Sequence, residues 1–239
     1  IGGDVRAAGV GNKRRFAVLE RVPLPKCIAS LGRCFDTFTR GSAESGDKAL
    51  LAKYQVFIQL NYPPYRWSDE AKSAFEDYVE NGRGGWVGLH HATLLGEFDG
   101  FPIWKWFSGF MGGIRFKSYI AERASGTVKV EKADHPCMQS LPASFTINEE
   151  EWYTFDRNPR PNVRVLATVD ENSYRPPSDV KMGDHPVVWS NPAMKARNVY
   201  ILMGHHPTLM KNESYTTLLR NSILWAAGRT GAADTGPGK

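Results

Sequence analysis

GGWVGLHH, residues 84–91, and NVYILMGHHP, residues 198–207, are the stretches on which the fold turns. Each is a short apolar run bounded by glycine. A run of that length suits a strand buried on both faces, as in a parallel sheet. Each run also ends in a pair of histidines, His90 and His91 in the first and His205 and His206 in the second. Four of the six histidines therefore stand at the mouths of two core strands. Neutral imidazoles brought together by a sheet can move protons or hold a metal near neutral pH.

Working outward from the first run, residues 16–22 read as a strand closed by Pro23 and Pro25. Cys27, Ile28, Leu31, Cys34, Phe35 and Phe38 then recur at helical spacing. Residues 54–60 read as a strand, and NYPPYRW after them as a loop, since two prolines lack amide donors. Ser68 is an N-cap, with Asp69 and Glu70 in the first turn, where the helix dipole favours anions. Ala71, Phe75, Tyr78 and Val79 form the apolar stripe of that helix, and Gly82 stops it. Strand, helix, strand, helix, strand is the order of parallel strands covered by helices on both faces.

The middle of the chain differs. Residues 96–113 are rich in glycine and aromatic side chains and read as a large loop with a short helix near 104–110. Segments 114–121 and 127–132 flank Ser125-Gly126 and predict a hairpin. Residues 163–169, 187–190 and 199–203 are further strands, and 212–227 is a final helix closed by Gly228. No internal repeat or linker interrupts the chain. One α/β domain over residues 14–229 is expected, with loose tails at 1–13 and 230–239.

Bulk composition narrows the function. The chain has 239 residues, 41% of them hydrophobic and 12% aromatic, enough for one substantial core. The net charge is +5, but its basic residues are scattered. The one dense run, Lys13-Arg14-Arg15, reads as a solvated flank, so no nucleic-acid partner is expected. No run of about 18 apolar residues occurs, so no membrane span is expected. Cys27 and Cys34, placed on one helix, would be about 10 Å apart and could not pair. The chain opens on Ile1 without a signal-peptide pattern. The expectation is a soluble protein, periplasmic or secreted after processing, otherwise cytoplasmic.

Ligands of open parallel sheets bind beyond the carboxyl ends of the strands. His90-His91 and His205-His206 occupy such ends, with Gly88 and Gly204 just before them. A strand-to-turn corner of this kind presents a side chain at the top of a sheet, here His in place of Ser or Cys. The acidic run Glu149-Glu150-Glu151 precedes Trp152-Tyr153, and one of its carboxylates turned inward would supply a general base or a third metal ligand. Asp134-His135-Pro136 and Asp184-His185-Pro186 are turn signals first. GRGGWVG lacks the lysine and spacing of a phosphate loop. No cysteine follows a glycine at a strand-to-helix corner, which speaks against a thiol hydrolase. Core packing is the first reading of the aromatic loop; the functional one is a sugar platform.

GGWVGLHHA, the Trp/Phe-rich loop, DHPCMQSLPASFTINEEEWY, VLATV, HPVVW, VYILMGHHP and LLRNSILWAAG, in this order over residues 50–228, resemble the trehalose-utilisation (ThuA-like) family. The resemblance implies a class I glutamine-amidotransferase-like fold: a flavodoxin-like three-layer α/β sandwich with a mostly parallel central sheet, here carrying an antiparallel insertion. It also implies carbohydrate metabolism, with oxidised (3-keto) disaccharides as substrates. By position, His90 lies where amidotransferases carry their cysteine nucleophile, and His205 or His206 lies near their catalytic histidine. Glu151 and Tyr153 match the family's acidic-aromatic motif. Histidine at the nucleophile position argues against glutamine hydrolysis through a thioester.

The expected function is thus hydrolase-, lyase- or isomerase-type chemistry on a sugar or keto-sugar. His90 and His205 would be acid/base residues or ligands, Glu151 a base or ligand, and Tyr153 an orienting hydroxyl. His91, Trp104, Trp106 and His206 are assigned to substrate contact. No cofactor is certain; a divalent metal such as zinc on His90, Glu151 and His205 remains open, as does a homo-oligomer. The alternative is a non-catalytic carbohydrate-binding protein on an amidotransferase-like scaffold.

Overall fold

A computed structural model describes residues 15–20, 34–38, 48–60, 63–65, 67–98 and 100–229. Its main feature is one sheet of nine strands. Four come from the first part of the chain: β1 (Arg15–Glu20), β2 (Cys34–Phe38), β3 (Val56–Leu60) and β4 (Gly85–Leu89). Five follow later: β6 (Ala124–Val130), β7 (Ser144–Glu150), β9 (Arg164–Arg175), β10 (Pro186–Ser190) and β11 (Asn198–Ile201). Their spatial order is β2-β1-β3-β4-β11-β10-β9-β6-β7. Two further strands, β5 (Phe116–Tyr119) and β8 (Tyr153–Phe155), form a separate antiparallel pair.

The sheet is mixed and curled, and this corrects the expected mostly parallel centre of a three-layer sandwich. The pairings from β2 across to β11 are parallel. Those from β11 across to β7 are antiparallel. The expected antiparallel segment does lie in the chain between the parallel neighbours β4 and β11, and its strands β6, β7, β9 and β10 extend the same sheet. Antiparallel neighbours need no crossover helix, which is why the second half of the chain carries so few helices.

Two local expectations also change. Cys34, Phe35 and Phe38 lie in strand β2, paired to β1 from Arg15↔Cys34 to Leu19↔Phe38, and not on a helix. Pairing with a neighbour satisfies the backbone of this short segment, and a helical spacing of apolar residues does not outweigh it. Cys27, Ile28 and Leu31 lie outside the described residues, as do the expected tails 1–13 and 230–239. The hairpin expected around Ser125-Gly126 is absent. Both residues lie inside β6, which pairs with β7 and β9. Gly126 marks a close approach: a Cβ there would lie 2.8 Å from the Trp152 indole.

Helix α1 (Lys48–Leu51) precedes β3. Helix α2 (Asp69–Glu80) begins as expected, with the Ser68 hydroxyl accepting from the Ala71 amide, and buries Ala71, Ala74, Phe75, Tyr78 and Val79. Gly82 follows it at φ +63°, the left-handed conformation that ends a helix. Helix α3 (Lys105–Phe110) sits in the aromatic segment. Helix α4 (Glu213–Ala226) is capped by Asn212, whose side chain accepts from the Tyr215 amide. It lays Tyr215, Leu218, Leu219, Ile223 and Ala226 against β4 and β11. Each of its buried Leu and Ile side chains stabilises the fold by roughly 2 kcal/mol.

Every residue of β4, β10 and β11 is buried. Trp86 and Gly88 share one face of β4, and the indole lies over the glycine: a Cβ at Gly88 would meet it at 2.1 Å. β4 and β11 are parallel neighbours in the register Trp86↔Asn198 to Leu89↔Ile201. Their carboxyl ends therefore emerge side by side, His90 directly after one and Gly204-His205 shortly after the other.

Candidate functional site

His90 is the centre of the site. It opens a 3-10 turn (His90–Thr93) straight off β4 and is completely buried. Its φ is +43°, uncommon for a residue with a Cβ. Several bonds hold it there. The Tyr200 hydroxyl donates to its carbonyl at 2.9 Å, and the Thr93 hydroxyl does so at 3.2 Å. Its Nδ1 lies 2.9 Å from the Leu202 carbonyl on the neighbouring segment. A carbonyl only accepts, so Nδ1 carries the hydrogen and Nε2 presents its lone pair. A backbone strained and over-determined in this way is the usual mark of a functional position.

Two further groups face that lone pair. Glu151 Oε2 lies 3.5 Å from His90 Nε2. His205 Nδ1 lies 3.3 Å from the same atom and 3.0 Å from Glu151 Oε2. The three atoms form a nearly equilateral triangle. A nitrogen of His91 completes a set of four ligand-capable atoms, all within 4.8 Å of one another. Tyr153 lies across the His90 ring, centroids 4.2 Å apart. It meets the site through its face, and its hydroxyl makes no hydrogen bond among the described residues.

The carboxylate comes from the far edge of the sheet. In a flat sheet β7, four strands from β11, would stand about 19 Å away. Yet Glu150, the last residue of β7, accepts from the Gly204 amide at 2.9 Å, so the antiparallel half must curl back over the site. Glu150 is fully buried and also accepts from the amides of Glu151 and His205, at 2.9 and 3.3 Å. Its Oε1 stands 3.7 Å from His90 Nδ1. One carboxylate thus ties the link between β7 and β8, which carries Glu151, to the loop carrying His205. Glu149, just before it, sits at φ +55°.

The charge states follow from these surroundings. Burial pushes the Glu150 carboxyl upward, opposed by His90 and the three amides. Burial works to raise Glu151, but the neighbouring imidazoles of His90, His205 and His91 outweigh it and hold the carboxyl below its usual range. Burial lowers His205; Glu151 opposes this, while His90, Arg123 and His206 add to it. At neutral pH the site offers an ionised carboxylate beside a neutral His205 imidazole. Burial raises the Tyr153 phenol, with Glu151 adding to the effect, so it stays protonated.

Of the residues expected from sequence, His90, His91, Glu151, His205 and Tyr153 converge. His206 turns away: its Nδ1 accepts from the Thr208 amide and caps the turn Pro207–Lys211. Trp104 and Trp106 pack with Phe75, Phe107 and their neighbours, their indole N–H groups held by Glu76 and Glu80 on α2. No ring contact joins them to the imidazoles. Glu150 is the functional residue the sequence did not single out. Beneath Tyr153, buried His185 bonds its backbone carbonyl at 2.9 Å and Glu171 at 2.9 Å, so one Asp-His-Pro turn supports the site from behind.

The sequence profile described as ThuA, trehalose utilisation, matches residues 25–226. The chain belongs to the ThuA family. A ThuA-like protein from Bacteroides uniformis is 28% identical with a TM-score of 0.76, covering 94% of this chain and 95% of its own. A second, from Parabacteroides merdae, is 19% identical with a TM-score of 0.64 and 92% of each chain covered. A GMP synthase protein from Thermoplasma acidophilum is 12% identical with a TM-score of 0.60, covering 92% of this ThuA-family chain and 96% of its own. That last likeness is one of fold: the α/β architecture of the amidotransferase-like proteins. No curated protein sequence matches the chain. No helix among the described residues is long and apolar enough to cross a membrane.

Proposed function

We propose that this ThuA-family protein is an enzyme acting on a sugar or oxidised sugar, with His90, Glu151 and His205 holding one divalent metal ion, zinc by donor type. The triangle of ligand atoms carries the reading. An ion bound at about 2.1 Å separates neighbouring donors by about 3.0 Å at octahedral angles and about 3.4 Å at tetrahedral ones. The observed edges are 3.0, 3.3 and 3.5 Å. Two histidines and one carboxylate on one face leave coordination open for water or substrate.

The surrounding groups fit that role. The Leu202 carbonyl fixes the His90 tautomer, as hydrogen-bonded backbone commonly does for metal-bound imidazoles. Glu150 holds the His205 loop in place. Such an ion would polarise a carbonyl or lower the pKa of a bound water. The Tyr153 ring offers a flat wall beside it, and His91 a further contact. The family's description as trehalose utilisation supports a carbohydrate as the substrate.

The test is turnover of a panel of sugars and their 3-keto derivatives by metal-supplemented protein. Activity should vanish on chelation and in His90→Ala, with folding intact. Turnover indifferent to both would overturn the proposal. One observation favours a second reading: 3.0 Å between His205 Nδ1 and Glu151 is also the hydrogen bond of a metal-free acid/base pair. Activity lost in His90→Ala yet insensitive to chelator would select it.

A further inference from the structure

The turn that joins β5 to β6 runs beside the triad and carries an arginine. At its start the Ile120 amide donates to the Trp152 carbonyl at 3.3 Å, and at its end the Ala124 carbonyl accepts from the Trp152 indole at 2.7 Å. Ala124 is also paired with Glu150 across β6 and β7. The turn is thereby clamped to the residues on either side of Glu151. Arg123 closes it, its amide donating to the Ile120 carbonyl at 3.3 Å, with φ at +39°. Positive φ favours glycine or asparagine and strains an arginine. Strain kept next to a cluster of ligand-capable atoms points to a side chain that is needed there.

Arg123 is exposed, and its guanidinium makes no ion pair or hydrogen bond among the described residues. Its acidic neighbours do not claim it. Glu151 faces His90 and His205, and Glu150 accepts from three backbone amides. Glu122 and Glu149 are both exposed, and neither pairs with it. Yet the guanidinium is within electrostatic reach of the triad: after burial, its charge is among those that lower His205. The strand before the turn adds an aromatic face. The pairing of β5 with β8 shifts register between Phe116 and Ser118, and the Phe116 and Tyr119 rings both come to Tyr153, at 5.0 and 6.2 Å between centroids. Tyr119 is 42% exposed. A ligand at the triad therefore has an exposed ring and an unclaimed guanidinium beside it. A guanidinium is a planar fork of donors that matches a carboxylate or a phosphate and accepts nothing in return.

We infer that Arg123 anchors an oxyanion, a carboxylate or a phosphate, on the molecule that binds at the triad, so that the ligand is an acidic sugar and not a neutral one. The inference rests on the sugar reading of the triad and goes beyond it in the charge of the ligand. The test is calorimetric titration of the metal-supplemented protein with glucose, glucuronate and glucose 6-phosphate, repeated on Arg123→Gln and Arg123→Lys. The three ligands share one ring and differ in the group at its sixth carbon. Arg123 is exposed, and unchanged thermal unfolding would verify that the variants fold. At least one acidic sugar should bind the wild type about fivefold more tightly than glucose, by an advantage that shrinks as salt is raised. Arg123→Gln should weaken that acidic sugar by about fivefold and glucose by less than about twofold, with Arg123→Lys in between. The acid with the larger loss tells carboxylate from phosphate. Glucose bound as tightly as both acids, or an acidic advantage that survives in Arg123→Gln, overturns the anchor and leaves the sugar reading standing. Binding of none of the three overturns both.

Discussion

Acidification should unfold this protein in part through His135, and the size of the effect can be worked out. His135 caps the short turn Pro136–Met138, its Nδ1 accepting from the Cys137 amide at 3.3 Å. Its ring stands edge-on to Trp225, centroids 4.6 Å apart, and the residue is only 5% exposed. Burial, helped by the Arg164 guanidinium and opposed by Asp134, lowers its pKa from 6.5 to about 4. Between those two values the unfolded chain binds a proton that the folded chain refuses. Its contribution is therefore complete above pH 6.5, falls as the pH drops, and reaches its full loss below pH 4. A shift of 2.5 units corresponds to about 3 kcal/mol. The assay is urea unfolding from pH 7.5 to 4 for the wild type and for His135→Gln, which has no proton to gain. Other titrating groups are common to both proteins and cancel in the difference. The variant should start less stable at pH 7.5, and the gap should close by about 2–3 kcal/mol toward pH 4. Parallel curves would refute the reasoning.

Glu150→Gln should lower stability by about 1–3 kcal/mol, because an amide nitrogen then faces buried backbone N–H groups. It should also weaken metal binding at the triad by loosening the His205 loop; unchanged stability and affinity in equilibrium titrations would count against the tie. Burial pushes the Cys137 thiol up to about 12, so peptide mapping should find it unmodified after iodoacetamide treatment of the native protein at pH 8. Rapid native modification at Cys137 would contradict its burial.

β4 and β11 were legible because every residue in them is buried, which leaves uninterrupted apolar runs. GGWVGLHH and NVYILMGHHP thereby identified β4, β11 and the histidines at their ends. Parallel register then does the rest, placing His90 and His205 side by side. What escaped was set by contacts distant in sequence. Glycine in Ser125-Gly126 reads locally as a turn, but it exists to admit Trp152. The two tryptophans of the aromatic segment have ordinary sugar-binding chemistry, yet Phe75 and the α2 carboxylates claim them. Glu150 was hidden by an irregularity. Phe145 and Ile147 face inward, so strict alternation would turn Glu149 and Glu151 in and Glu150 out. The register between β6 and β7 shifts between Ala124↔Glu150 and Gly126↔Ile147, and Glu149 adopts a positive φ, which turns Glu150 into the core.

The most direct measurement is the metal content and position in crystals grown with zinc, from anomalous scattering at the zinc edge. The expected result is one ion about 2.1 Å from His90 Nε2, Glu151 Oε2 and His205 Nδ1, absent from Glu151→Ala crystals grown in the same way. No anomalous peak at the triad, or an equal peak in Glu151→Ala, would contradict a His-His-Glu metal centre.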